Sequence, residues 1–168
     1  MRSARRRKTV QARLDGDVLR VMIPAGASAA QEAAYVENMR TRFERRTMTA
    51  DVDLPARALI LAARYGLPAA TTVRWVSNQR ARWGSCSPAS RAIRISDRIA
   101  GFPTWVVDAV LVHELAHLAQ PDHGPVWRAL VQRYPKTERA TGFLIAMGLS
   151  HGERPGACGD DDEPAGSP

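Results

Sequence analysis

Cysteine is nearly absent from this 168-residue chain, which has only Cys86 and Cys158. That excludes a disulfide-stapled scaffold and points to a reducing, cytoplasmic setting. Long apolar runs are missing too. No stretch approaches the ~18–20 residues that span a bilayer, so no membrane anchor is expected. The opening MRSARRRK has the charge of a secretory leader, but Gln11, Arg13, Asp15, Asp17 and Arg20 break up the apolar stretch that would have to follow. Aromatic residues make up 6%, and none is interleaved with the arginines as stacking on bases requires. Lysine is scarce: arginine supplies 22 of the 24 basic side chains. No internal repeat occurs.

What is present fits a small folded protein. Apolar residues make up 45% of the chain, and its length allows one domain with a real core, expected over residues 1–150 and as a monomer. Residues 151–168 are dominated by Gly, Pro and Asp and read as a disordered tail. The net charge of +7 is unevenly spread, with 19 basic and 8 acidic side chains in residues 1–100 against 5 and 9 in the remainder. The basic N-terminal half is either an arginine-rich solvated surface or a footprint for an anionic partner such as nucleic acid.

Periodicity divides the chain into α and β segments. Residues 9–23 alternate as a hairpin around Asp15-Gly16. Ser28 caps a helix to about Arg46, with Ala33, Val36, Met39 or Arg40 and Phe43 spaced for one apolar face, and a polar connection follows at 47–53. A second helix, 56–65, is closed by Gly66 and Pro68. Residues 71–77 and 92–96 read as strands, and 83–88 as a further strand or a loop over the site. The helix from Thr104 to about Ala119 is apolar almost all round, so it belongs at the centre of the fold. Helices over 125–134 and 137–149 complete the chain.

The chemistry lies in that central helix. His113 and His117, four apart in HELAH, share one helical face and can reach a single ion. Glu114 sits beside the metal rather than on it, placed to take a proton from a water and return it to a leaving amine. Independent positions with 4 His and 7 Glu give this pentapeptide by chance in roughly 0.4% of comparable chains, so the match is specific. Gln120-Pro121 stops the helix and returns the chain to His123, six residues beyond the second histidine. Three imidazoles with an open fourth position are the ligand pattern of catalytic zinc.

Several segments together, NQRARWGSCS at 78–87, IRISDR at 93–98, HELAHL at 113–118 and HGPVW at 123–127, resemble the YgjP-like metallopeptidase family, distant kin of the SprT-like and WLM zinc proteases. The similarity is strong over residues 73–135 and looser at the N-terminus. It implies a compact zincin-like α+β domain, with a small antiparallel sheet packed on the active-site helix. It further implies one Zn2+ held by His113, His117 and His123, with Glu114 as base. The sequence departs from metzincins: Gln120-Pro121 stands where they place glycine, and no Met-turn is identifiable.

Under this likeness an edge strand beside the metal takes an extended substrate backbone, a role assigned to Arg80, Arg82, Trp83, Gly84 and Ser85. Arg80 or Arg82, or else Tyr134, is the candidate for stabilising an oxyanion. Cys86 is a buried, inert thiol, with a fourth ligand or a redox switch as the alternatives, and Trp127 packs beside His123. Asp97, Asp108 and Asp122 are candidates for orienting the imidazoles. Peptide hydrolysis on a protein or peptide substrate is the leading function. A hydrolase of nucleotide phosphoanhydrides and a nucleic-acid-associated SprT-like protease are the alternatives.

Overall fold

A computed structural model describes residues 2–3, 10–16 and 18–150, so the expected tail lies outside the described residues. Two compact units divide near Met48. The first contains β1 (Arg2–Ser3), β2 (Gln11–Asp15) and β3 (Val18–Pro24), followed by α1 (Ala29–Ala50). The hairpin forms as expected, with Gly16 at φ 60 supplying the left-handed turn position. α1 opens with a reciprocal cap: the Gln31 N–H donates to the Ser28 hydroxyl, and the Ser28 N–H to the Gln31 side chain. The helix runs four residues past Arg46, into the stretch expected as a connection, because no Gly or Pro interrupts it before Pro55. The expected apolar face is only partly used. Met39 and Tyr35 pack on Val21, Ile23 and Ala27, while Ala33 and Val36 are exposed and no α1 residue is fully buried.

The second unit carries α2 (Leu54–Tyr65), β4 (Thr72–Val76), β5 (Gly84–Ser87), β6 (Ala92–Ser96), α3 (Thr104–His117), α4 (Pro125–Val131) and α5 (Thr137–Ser150). α2 is bounded by local chemistry: the Asp53 carboxylate accepts the Ala56 N–H, and Gly66 at φ 61 ends it. The sheet order is β4-β6-β5. β5 and β6 form the expected antiparallel pair, but β4 is parallel to β6, so the sheet is mixed. The chain leaves β4 by a long loop and lays down β5 first, so β6 returns between the two. β5 is left as an edge.

α3 is the hub, packing against α2, α4, α5, β5 and β6. Val106, Leu111, Val112, Leu115 and Ala116 are completely buried, which explains a helix with no polar face. Its one buried carboxylate outside the site, Asp108, is gripped by Arg57 of α2 through two hydrogen bonds of 2.6 and 2.7 Å. Arg57→Ala is expected to destabilise the fold by about 2 kcal/mol by stranding that carboxylate, the solvent-open Arg57 end keeping the loss modest. Urea denaturation measures this.

Candidate metal centre

His113 and His117 occupy the last turns of α3, which ends at His117, three residues before Gln120. The chain turns through residues 118–120, the Gln120 N–H returning to the Ala116 carbonyl. Asp122 accepts the Gly124 N–H, and α4 then starts at Pro125. This turn does the work of the missing metzincin glycine and swings His123 back over α3. The ligand-type atoms of His113, His117 and His123 all lie within 4.8 Å of one another.

The nitrogens converge more closely than packing requires. His117 Nε2 lies 3.1 Å from His123 Nε2, which lies 3.4 Å from His113 Nε2. Tetrahedral zinc with Zn–N bonds of 2.0–2.1 Å separates its nitrogens by about 3.3 Å, so the donors match the ion in type, number and spacing. At 3.2 Å, His117 Nδ1 meets the Gln120 carbonyl, which only accepts, so the proton resides on Nδ1 and the lone pair on Nε2, the atom that faces His123. His113 is held neutral: burial, helped by the charges of His117 and His123, pushes its pKa down to about 3.

Trp127 walls this cluster. Its ring stacks on His117 at 5.3 Å and stands edge-on to His113 at 4.6 Å and to His123 at 4.4 Å. The expectation of packing beside His123 was too narrow, since one indole braces all three imidazoles. The fixed spacing of Trp127 from His123 along the chain was the available signal.

Glu114 is buried, and burial pushes its carboxyl up to about 8, with the positive charge of Arg82 pulling against the shift. Directly over it runs β5. A Cβ on Gly84 would stand 2.5 Å from Glu114 Oε1 and 3.0 Å from Cγ and Cδ, so any side chain there would have to push Glu114 aside. Gly84→Ala is therefore expected to displace the carboxylate and to lower kcat/KM by about 100-fold with metal content unchanged, read by steady-state kinetics beside metal analysis.

The other expected residues separate. Arg82 is half-buried and acts on Glu114, whereas Arg80 is exposed. Trp83 packs with its ring under the Arg98 guanidinium at 4.4 Å and beside Phe102 at 5.9 Å. Ser85 lies opposite Arg94 on the other sheet face, where Gln79 donates to its hydroxyl. Gln79, itself buried, pins the loop before β5, and no sequence signal marks it because glutamine has no distinctive spacing. Tyr134 is core, donating to the Trp105 carbonyl. Asp108 serves Arg57, so neither it nor Tyr134 joins the cluster. Cys86 is half-buried beside the core, and burial raises its thiol to about 12, so it stays protonated.

With this geometry in place, a family model for the YgjP-like metallopeptidase domain matches residues 6–144. The chain belongs to that family. Among solved structures, the chain is similar to the metallopeptidase zymogen abylysin of Pyrococcus abyssi, with a TM-score of 0.50 and 17% identity, over 59% of this chain and 95% of that one. That likeness is one of fold. Among curated proteins, none matches. Membership of the YgjP-like family makes this a metallopeptidase-type domain whose metal-capable cluster is the three-histidine set. No helix among the described residues is long and apolar enough to cross a membrane.

Proposed function

We propose that this protein is a zinc-dependent peptidase in which His113, His117 and His123 hold the metal and Glu114 is the general base. The convergence of three Nε2 atoms at zinc-like spacing carries the reading. A zinc ion held by these three imidazoles would supply Lewis acidity, making a water acidic enough to lose a proton near neutral pH. The chain's own groups do the rest. Glu114 takes that proton and hands it to the departing amine. Arg82, the half-buried cation that acts on Glu114, stabilises the charge developing on the attacked carbonyl oxygen. The outer edge of β5, which pairs with no further strand among the described residues, accepts the substrate backbone as an added strand, aligned by Gly84 over Glu114.

The test is hydrolysis of unfolded casein by the zinc-loaded protein, run beside nucleoside triphosphates. Casein cleavage of about one-zinc-per-chain protein, lost on chelation, supports the reading. Release of pyrophosphate with casein untouched would replace it with a phosphoanhydride hydrolase. A nucleic-acid-associated activity is favoured only by the excess of arginine in the N-terminal half, and a cytoplasmic setting only by the scarcity of cysteine.

A further inference from the structure

Trp127 is placed for its ring faces and not for its donor. Its indole N–H is buried and, among the described residues, meets no acceptor. A buried indole nitrogen ordinarily finds a partner, and leaving it unpaired costs stability. What the ring does have is a contact with every imidazole of the cluster. It lies 5.3 Å from His117 at 28°, 4.6 Å from His113 at 78° and 4.4 Å from His123 at 82°. The seat of the ring is fixed. α4 starts at Pro125, directly after the turn that Asp122 closes on Gly124, and Val131 at its far end is buried. Trp127 and Leu130 pack on the same core as α3.

The imidazoles need such a wall. The second side-chain torsion of histidine is broad, so a ring turns unless something holds it. For His117 the Gln120 carbonyl does part of this at Nδ1. His113 has no equivalent: among the described residues, no carbonyl or carboxylate accepts from its ring. The rings around it are His117 at 5.0 Å, His123 at 5.3 Å and Trp127, and of these only the indole is not itself a candidate ligand. A metal requires all three nitrogens as acceptors. Acceptors turned toward one another at 3.1 and 3.4 Å repel, so rings left loose would splay. A rigid indole in contact with all three limits that splaying.

On the three-histidine assignment above, we propose that Trp127 is a positioning residue for the metal ligands. Its indole holds the imidazoles in the metal-binding arrangement before the ion arrives, and so sets the affinity of the site for zinc. The ordering is then supplied by the fold instead of being drawn from the binding free energy. The test measures the zinc Kd of full-length, metal-free protein by competition with a chromophoric chelator, in wild type, Trp127→Phe and Trp127→Leu. Leucine fills the core side of the position but has no ring face. It should raise the Kd by about 10–100-fold, the range seen when an orienting partner of a metal-bound histidine is removed. Phenylalanine keeps a planar face and should stay within about threefold of wild type.

A merely structural indole would lower the urea midpoint of metal-free Trp127→Leu and leave the Kd of the folded protein at the wild-type value. That result overturns the proposal, and so does a Phe variant as weak as the Leu variant. Should Trp127→Leu not fold, the wild type decides alone by NMR. Ring-current shifts of the His113 and His123 ring protons should already be present in metal-free protein and change little on adding zinc. Imidazole protons at ordinary positions until zinc is added overturn the proposal. A wild type that binds no zinc, or a His117→Ala protein that binds it as tightly as wild type, defeats the three-histidine assignment and the proposal with it. One zinc bound with equal Kd by wild type, Trp127→Phe and Trp127→Leu removes the role of Trp127 and leaves the assignment standing.

Discussion

Glu114→Gln is expected to lower peptide hydrolysis by about 10²–10⁴-fold in kcat/KM while the protein keeps its full complement of zinc. The amide matches the carboxylate in shape but takes no proton, and the three imidazoles are untouched. Loss of zinc in the variant would instead make Glu114 part of the ligand set, and undiminished activity would remove it from the mechanism. The same substitution should act oppositely on the stability of metal-free protein. Burial raises the folded-state pKa of Glu114 to about 8, from 4.5 in the ordinary carboxyl. The stability linked to its proton is complete below about 4.5 and drains away as the pH rises through 8, where a charge must be held in the interior. Glutamine has no such charge. Between pH 5 and pH 9 the metal-free wild type should therefore lose stability relative to the variant, by an amount of the order of 3–5 kcal/mol, measured by urea denaturation at both pH values. On the proposed reading, the residue that costs stability is the one the chemistry requires.

Much of this was legible in the sequence because helix periodicity and ligand spacing are local. HELAH places two imidazoles on one face wherever a helix forms, and the all-round apolarity of α3 predicts its central position. The Ser28 cap and the Asp15-Gly16 turn are equally local. What escaped depends on pairs distant in the chain. The parallel pairing of β4 and β6 is set by strand order, which alternation does not encode. Asp108 stands in the sequence as a candidate imidazole partner, but its contact is with Arg57, 51 residues away. The acceptor that orients His117 is a backbone carbonyl, which no side-chain pattern announces. Gly84 was placed in the substrate strand, but its reason for being glycine is the carboxylate 30 positions later. The overreach on α1 has the opposite cause: helical spacing of Ala33 and Val36 describes a stripe without supplying anything to cover it.

His117→Ala is expected to abolish both metal and activity, a larger effect than any change around the cluster. Orienting partners of metal-bound histidines cost about 10–100-fold in affinity when removed, and loss of the ligand itself should exceed that. The position is doubly placed, its Nε2 facing His123 and its Nδ1 tied to the Gln120 carbonyl that closes the turn after α3. Alanine removes the donor and the tether together, leaving His113 and His123 as an incomplete set beside Trp127. Metal that binds only the folded chain stabilises it by about 4 kcal/mol at a free concentration a thousand times its Kd. Chelation should therefore lower the Tm of the wild type and leave that of His117→Ala unchanged, because nothing remains to be withdrawn. Metal analysis after dialysis should find about one zinc per wild-type chain and essentially none in the variant. Burial, the main cause that keeps the His113 imidazole neutral, persists in the variant, so a deficit of metal at neutral pH is not expected to come from protonation there. A His117→Ala protein that kept stoichiometric zinc and cleaved casein would move the metal elsewhere and end the three-histidine assignment.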